Sequence, residues 1–235
     1  MSPASGWRRR SGLADVAIVA TAGFGACATN SSSDDTSGPA AIVHTEGDGF
    51  AGTLVEDPPL QLADVVLSDT EGKPHRLGKL APDRVTAVFF GFTNCDDVCP
   101  TAMADLATAK RALPAASANK VDVVFITVDP DRDTARVLRA WLDRFDKTFV
   151  GLRGSMGSVH RAEDSLHATR SEIESSGGDH HEGGDSEASD DEVHGGVSHS
   201  GSIYVFGPAD KSVLYSGGTT VAGYAKDFAR LLKTS

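Results

Sequence analysis

The stretch "RVTAVFFGFTNCDDVCP", Arg84–Pro100, decides the fold. Its first part, Arg84 to Phe92, is a continuous apolar and β-rich run, the pattern of a strand buried on both faces. Its second part sets Cys95 and Cys99 four positions apart and ends on Pro100. The residues that follow, "PTAMADLATAKRAL" (Pro100–Leu113), are good helix formers opened by a proline, which is favoured in a first helical turn. The two cysteines therefore lie on a turn from a buried strand into a helix. Backbone N–H groups point outward there and the helix dipole is positive, which predicts thiols more acidic than a free cysteine. The i, i+4 spacing brings both side chains onto one helical face or closes a small loop, so that the sulfurs converge. Two sulfurs suit a soft metal, with Cu(I) prominent, whereas a structural zinc site wants four ligands. With only three cysteines in the chain, no second pair completes such a site. Spacing alone leaves three readings open: a small disulfide, a redox couple and a metal clamp.

Outward from this turn, strands and helices alternate. "LQLADVVLSDTEGKPHRL" alternates apolar and polar residues around Thr70-Glu71-Gly72-Lys73 and reads as a β-hairpin. "KVDVVFITVDP" (Lys120–Pro130) is a second buried strand. "RDTARVLRAWLDRF" (Arg132–Phe145) is a helix with Val137, Leu138, Trp141, Leu142 and Phe145 on one face, and Asp131 and Asp133 read as its caps. A weaker helix is placed within "SMGSVHRAEDSLHATR", then strand, turn and strand in "SIYVFGPADKSVLYSGG". A last helix, "VAGYAKDFARLLKTS", has Tyr224, Phe228 and Leu231 as its stripe. The order predicts an α/β fold: a thioredoxin-like mixed sheet, parallel at its centre, with helices on both faces and an added N-terminal hairpin.

A third ligand for the two sulfurs has to come from one of eight histidines. His44 falls in a tether, His75 in the first hairpin, and His160 and His167 on a surface helix. His199 immediately precedes "SIYVFGP", and in a thioredoxin-like sheet the loop before that strand faces the cysteine turn. His180, His181 and His194 belong to "SSGGDHHEGGDSEASDDEVHGGVSHSG", a Gly-, Ser- and Asp-rich insert at about 171–198 that is too polar to bury a core. It reads either as a solvated acidic loop or as an auxiliary metal scavenger.

Charge and chain ends narrow the function classes. The net charge is −11, and the nine acids between Ser171 and His199, with no Lys or Arg among them, leave only about −2 elsewhere. No basic surface remains to serve a nucleic acid. At the start, "WRRR" (Trp7–Arg10) precedes a short apolar run that stops at Cys27, too short to span a bilayer comfortably. Phe24-Gly25-Ala26-Cys27 resembles a bacterial lipobox, and the arginines fit Sec or twin-arginine export. The expected organisation is a signal peptide over 1–27 ending at a lipidated Cys27, a flexible tether over 28–54, and one domain over 55–235 on the extracytoplasmic face of the bacterial cell membrane.

"GFTNCDDVCP", "FITVDPDRDT" and "HSGSIYVFGP", in that order and at these separations, closely resemble the signatures of the Sco/SenC family of thioredoxin-like copper proteins, over about residues 55 to 235. The resemblance implies copper, as Cu(I) or Cu(II), bound by Cys95, Cys99 and His199. The histidine is set by Tyr204 five residues later and by the Gly207-Pro208 turn. It also implies a role in assembling the binuclear copper site of cytochrome c oxidase. That role is copper delivery to the copper-bearing subunit or reduction of its cysteines, with other copper chaperones or thiol reductants as further partners. Asp129 ends the strand beside the site and is a candidate for its surroundings. The sequence departs from the family pattern at Asn94 and at Asp96-Asp97, where Asp96 takes a position that proline often fills. The alternative on the same fold is an extracytoplasmic thiol–disulfide oxidoreductase. Such enzymes favour C-x₂-C and a proline before the later strand, where this chain has C-x₃-C and Ser198-His199. A second alternative, a lipid-anchored protein buffering metal through the insert alone, would make Cys95 and Cys99 dispensable for metal uptake.

Overall fold

The computed structural model describes residues 49–173 and 197–234. The chain opens with β1 (Thr53–Val55), β2 (Val66–Asp69), β3 (Pro74–Arg76) and β4 (Val85–Gly91). It continues through α1 (Val98–Arg111), the short α2 (Ala115–Ala118), β5 (Val121–Thr127), α3 (Ala135–Leu142), β6 (Val150–Arg153) and α4 (Met156–Ser165). After β7 (Glu172–Ile173) and β8 (Val197–Ser198) come β9 (Ile203–Phe206), β10 (Ser212–Tyr215) and α5 (Val221–Leu231). Cys27, His44, His180, His181 and His194, with the expected leader and most of the tether and insert, lie outside the described residues.

Eight strands form one sheet in the order β1-β10-β9-β4-β5-β6-β2-β3. β4 pairs in parallel with β5, and β5 with β6, while β9 joins β4 antiparallel and β10 extends the ladder. The parallel centre flanked by a closing antiparallel hairpin is the arrangement that the alternation of elements predicts. Both β4 and β5 are apolar along nearly their whole length because each face of the sheet is covered. Val85, Ala87 and Phe89 enter one core with Met103 and Leu106 of α1, Leu138 and Trp141 of α3, and Phe228 and Leu231 of α5. Val88 and Phe90 enter the other with Val159 and Ala162 of α4. Successive strand residues thus serve opposite cores, as the period of two requires.

Three expectations are corrected. The region called a tether up to residue 54 already carries β1, which pairs with β10 from Thr53↔Leu214 to Val55↔Ser212. Its three residues are too few to show a strand period, and it is held from a distance: Asp227 of α5, fully buried, accepts from the N–H groups of Ala51 (2.8 Å) and Gly52 (3.2 Å) and from the Tyr215 hydroxyl (2.9 Å). The insert is narrower than 171–198, because Glu172 and Ile173 pair with Ser198 and Val197. Val137 stands 37% exposed at the edge of the α3 stripe, while Leu138 and Leu142 close onto β6 over Gly151, where any Cβ would come within 2.8 Å of both.

The Asp227 clamp is testable. Asp227→Ala strips the acceptor from one buried hydroxyl and two backbone N–H groups, and is expected to lower unfolding stability by about 2 kcal/mol. Urea denaturation reads the loss, and metal binding by the folded variant should match that of the unaltered protein.

Candidate metal centre

The parallel strands β4 and β5 run out together at Gly91 and Thr127, and the chain after Gly91 turns through Thr93-Asn94-Cys95 into α1. Cys99 falls in the first turn of α1 and Cys95 in the loop before it. Helix starts leave backbone N–H groups without helical partners. One of these, on Cys99, donates to Cys95 Sγ at 3.4 Å and draws the first sulfur to the mouth of the helix. Cys99 itself is fully buried, its side chain part of the core beneath β4, whereas Cys95 is half-buried. Both are free cysteines.

β9 is antiparallel to β4, so the loop entering β9 lies over the end at which β4 finishes. That loop delivers His199. Its Nε2 lies 3.5 Å from Cys99 Sγ, and its ring stands edge-on to Phe89 and Phe92, with centroids 5.9 and 5.6 Å apart. Nδ1 lies 3.1 Å from the Ser200 carbonyl oxygen. A carbonyl only accepts, so Nδ1 is the donor in this contact, which leaves Nε2 of the neutral ring free to face Cys99 Sγ with its lone pair. Hydrogen bonding at the second ring nitrogen is how proteins orient a ligating imidazole. The Ser200 hydroxyl is in turn 3.4 Å from that of Tyr204, tying the loop to β9. One donor atom each from Cys95, Cys99 and His199 fall within 4.8 Å of one another, and among the described residues no other group of Cys, His, Asp or Glu converges in this way.

Electrostatics correct one expectation. The helix start was expected to make the thiols acidic, but burial pushes the Cys99 thiol well above the ordinary cysteine range. The hydrogen bond with Cys95 and the negative charge of Asp133 act in the same direction. Burial thus favours the neutral thiol of Cys99 over its thiolate.

The remaining candidates fall elsewhere. Asp129 is buried and paired with Arg132 at 3.5 Å, outside the three-residue group. His75 sits on β3, His160 Nε2 lies 3.1 Å from the Ser171 carbonyl oxygen, and His167 is exposed. Asp133 does not cap α3. That task falls to Thr134, whose hydroxyl accepts from Val137 N–H, while Asp133 turns inward to the cysteine loop.

Comparison with known proteins places this arrangement. A family model described as SCO1/SenC matches residues 62–233. The chain belongs to the SCO1/SenC family. Among relatives, it is 34% identical over 102 residues to a SCO2-like protein of Rickettsia prowazekii, covering 43% of this chain and 48% of that one. It is 30% identical over 144 residues to the mitochondrial SCO2 homolog of Homo sapiens, covering 61% and 49%. The chain thus spans about half the length of the curated relatives it matches. Two solved SCO1/SenC structures extend the likeness over the whole domain. Apo Sco1 from Thermus thermophilus aligns at 30% identity and TM-score 0.57, over 83% of this chain and 99% of that one. Bradyrhizobium japonicum ScoI with copper bound aligns at 25% and 0.55, over 73% and 99%. The fold is thioredoxin-like, as the order of elements predicts.

Sequence reasoning missed Gly91. A Cβ there would come within 2.8 Å of Cys99 Sγ and of the Phe89 ring, so the missing side chain makes the room that the buried sulfur occupies. Its signal was a glycine directly after two phenylalanines at the end of a buried strand, which marks a close approach. Gly91→Ala is expected to cost about 1–3 kcal/mol through overpacking and to displace Cys99 Sγ from its partners. Urea denaturation reads the first effect, and a weakened sulfur-to-metal absorption band reads the second.

Proposed function

We propose that this chain binds one copper ion through the Cys95 and Cys99 sulfurs and His199 Nε2. On this reading it serves assembly of the binuclear copper site of cytochrome c oxidase, by delivering copper to the copper-bearing subunit, by reducing that subunit's cysteines, or by both. The observation that carries the reading is the convergence of two sulfurs and one lone-pair nitrogen within 4.8 Å at one end of the sheet. Membership of a family associated with cytochrome c oxidase assembly supports the destination. The donor set suits copper: two soft thiolates and an imidazole satisfy Cu(I) in trigonal geometry, and the same set with added oxygen ligands holds Cu(II). Three ligands leave a side open, so an acceptor's ligand joins before the carrier's ligands leave.

The unequal burial of the cysteines assigns them different work in exchange. Half-buried Cys95 is the sulfur that another chain reaches, and buried Cys99 is the one that follows it. In the reductive act, Cys95 attacks one sulfur of an acceptor disulfide and forms a mixed disulfide. Cys99 then attacks Cys95, closing the Cys95–Cys99 disulfide and leaving both acceptor sulfurs reduced, with two electrons and two protons transferred. The same oxidation removes both thiolates and with them copper binding, so one chemistry switches the other off. The insert histidines His180, His181 and His194 supply at most weak additional metal sites. A lipid on Cys27 holds the domain at the outer face of the cell membrane; no helix among the described residues is long and apolar enough to cross one.

Replacing Cys95 or Cys99 by Ser is expected to abolish the thiolate-to-copper charge-transfer band of the Cu(II) form. His199→Ala should weaken copper binding at least tenfold, about 1.4 kcal/mol, while deletion of Gly177–Val193 leaves the tight site intact. An unaffected His199→Ala beside a crippled deletion would move the third ligand into the insert. For the anchor, mass spectrometry of the mature protein should find an N-terminus at Cys27 carrying lipid. An intact Met1, or an unlipidated Cys27, would count against it.

A further inference from the structure

Asp133 is a buried acid that neither caps a helix nor belongs to the metal group. The residue is only 1% exposed. One carboxylate oxygen accepts from the Thr93 N–H at 3.0 Å and from the Thr127 hydroxyl at 2.6 Å. The other accepts from the Thr93 hydroxyl and, at 3.3 Å, from the same N–H. Thr127 is the last residue of β5, and its hydroxyl oxygen also accepts from the Asp129 N–H at 3.0 Å. Thr93 lies two residues before Cys95. A single carboxylate therefore fastens the cysteine loop to the end of the neighbouring parallel strand, across 40 residues of sequence.

The consequence follows from what else holds that loop. Beyond Gly91, whose carbonyl accepts from the Val128 N–H at 2.8 Å, the backbone hydrogen bonds recorded along the loop include only long ones, from Cys95 N–H to the Phe92 carbonyl at 3.4 Å and from Thr101 N–H to the Asp97 carbonyl at 3.3 Å. Asp97 at the helix start makes no side-chain cap. Burying a carboxylate is costly unless its lone pairs are satisfied, and Asp133 is satisfied by Thr93 and Thr127. Such groups are shared anchors whose removal frees both sides at once.

We propose that Asp133, acting through Thr93, is a positioning residue that sets the place of Cys95 relative to Cys99 and His199. The proposal rests on the reading of those three residues as a copper site. With the carboxylate in place, the loop presents Cys95 Sγ to the Cys99 N–H and to the imidazole. Without it, the loop detaches from β5, the first sulfur wanders from the other two donors, and Cys99 loses its cover.

Four variants test this: Asp133→Ala, Asp133→Asn, Thr93→Val and the double substitution. Three readouts are used: Cu(I) affinity by competition with a chromophoric chelator, the sulfur-to-Cu(II) absorption band, and the rate at which N-ethylmaleimide labels Cys99 in reduced, metal-free protein. Asp133→Ala should lower the affinity about tenfold or more, shift the sulfur-to-Cu(II) band, and raise the Cys99 labelling rate by a similar factor. Asp133→Asn, which keeps one acceptor oxygen, should restore part of each. Thr93→Val spares the backbone N–H and should give a smaller effect that vanishes in the Asp133→Ala background, because both changes break one connection. Variants that melt earlier yet keep the affinity, the band and the Cys99 protection well below their melting temperatures would overturn the proposal and leave Asp133 a scaffold residue. If Asp133→Ala does not fold, Thr93→Val with unchanged readouts overturns it equally. An unaltered protein with no sulfur-to-copper band would sink the copper reading instead, and the metal-free labelling rates would still decide whether Asp133 holds the loop.

Discussion

The parallel ladder between β4 and β5 keeps register from Val85↔Val121 to Gly91↔Thr127, and both strands stop at the same level. Because the ladder is covered on both faces, the polar backbone beyond its end can go only outward, into turns that start helices. One such turn carries the cysteines and the other carries Asp129 to Asp133. The site is built on this shared edge: Gly91 gives Cys99 its room, Thr127 gives Asp133 its purchase, and Asp133 returns to hold Thr93. The third donor arrives because β9 runs against β4 and must begin where β4 ends. The metal group is thus a product of strand direction before it is a product of side-chain choice.

The two sulfurs differ because the edge has an inside and an outside. Cys99 is a core residue in the company of Phe89 and Met103, and its raised pKa is the cost of that position. Cys95 sits on a loop with few backbone hydrogen bonds of its own. A site assembled from one rigid, desolvated sulfur and one accessible sulfur can bind softly at one end while exchanging at the other. The imidazole, hydrogen-bonded to its own following carbonyl and walled by two phenyl rings, brings a nitrogen to the pair of sulfurs.

The sequence carried this architecture unevenly. Continuous apolar runs identified β4 and β5, the helix formers after Pro100 marked α1, and the stripe of α5 was plain, because burial on two faces or on one leaves a periodic mark. The cysteine turn was legible from its strand-to-helix setting, and His199 from the strand after it. β1 and β6 were not, since their partners lie far along the chain and no hairpin turn beside them marks the pairing, as one does for the equally short β2, β3, β9 and β10. Asp133 was misread for a related reason. An acid just before a helix looks like a cap, and nothing local announces that its partner is Thr93, on another strand's turn. The acidity of Cys99 failed because the dipole argument concerns a helix start in water, whereas this sulfur lies inside the core.

Strand directions also fix how the domain is hung. β1 is antiparallel to β10, β10 to β9 and β9 to β4, so β1 runs opposite to β4 and begins at the end of the sheet where β4 finishes. The incoming chain therefore meets the domain on the side that bears the cysteines, where Asp227 pins Ala51 and Gly52. Any pull on that segment is therefore felt at the end of the sheet that bears the cysteines.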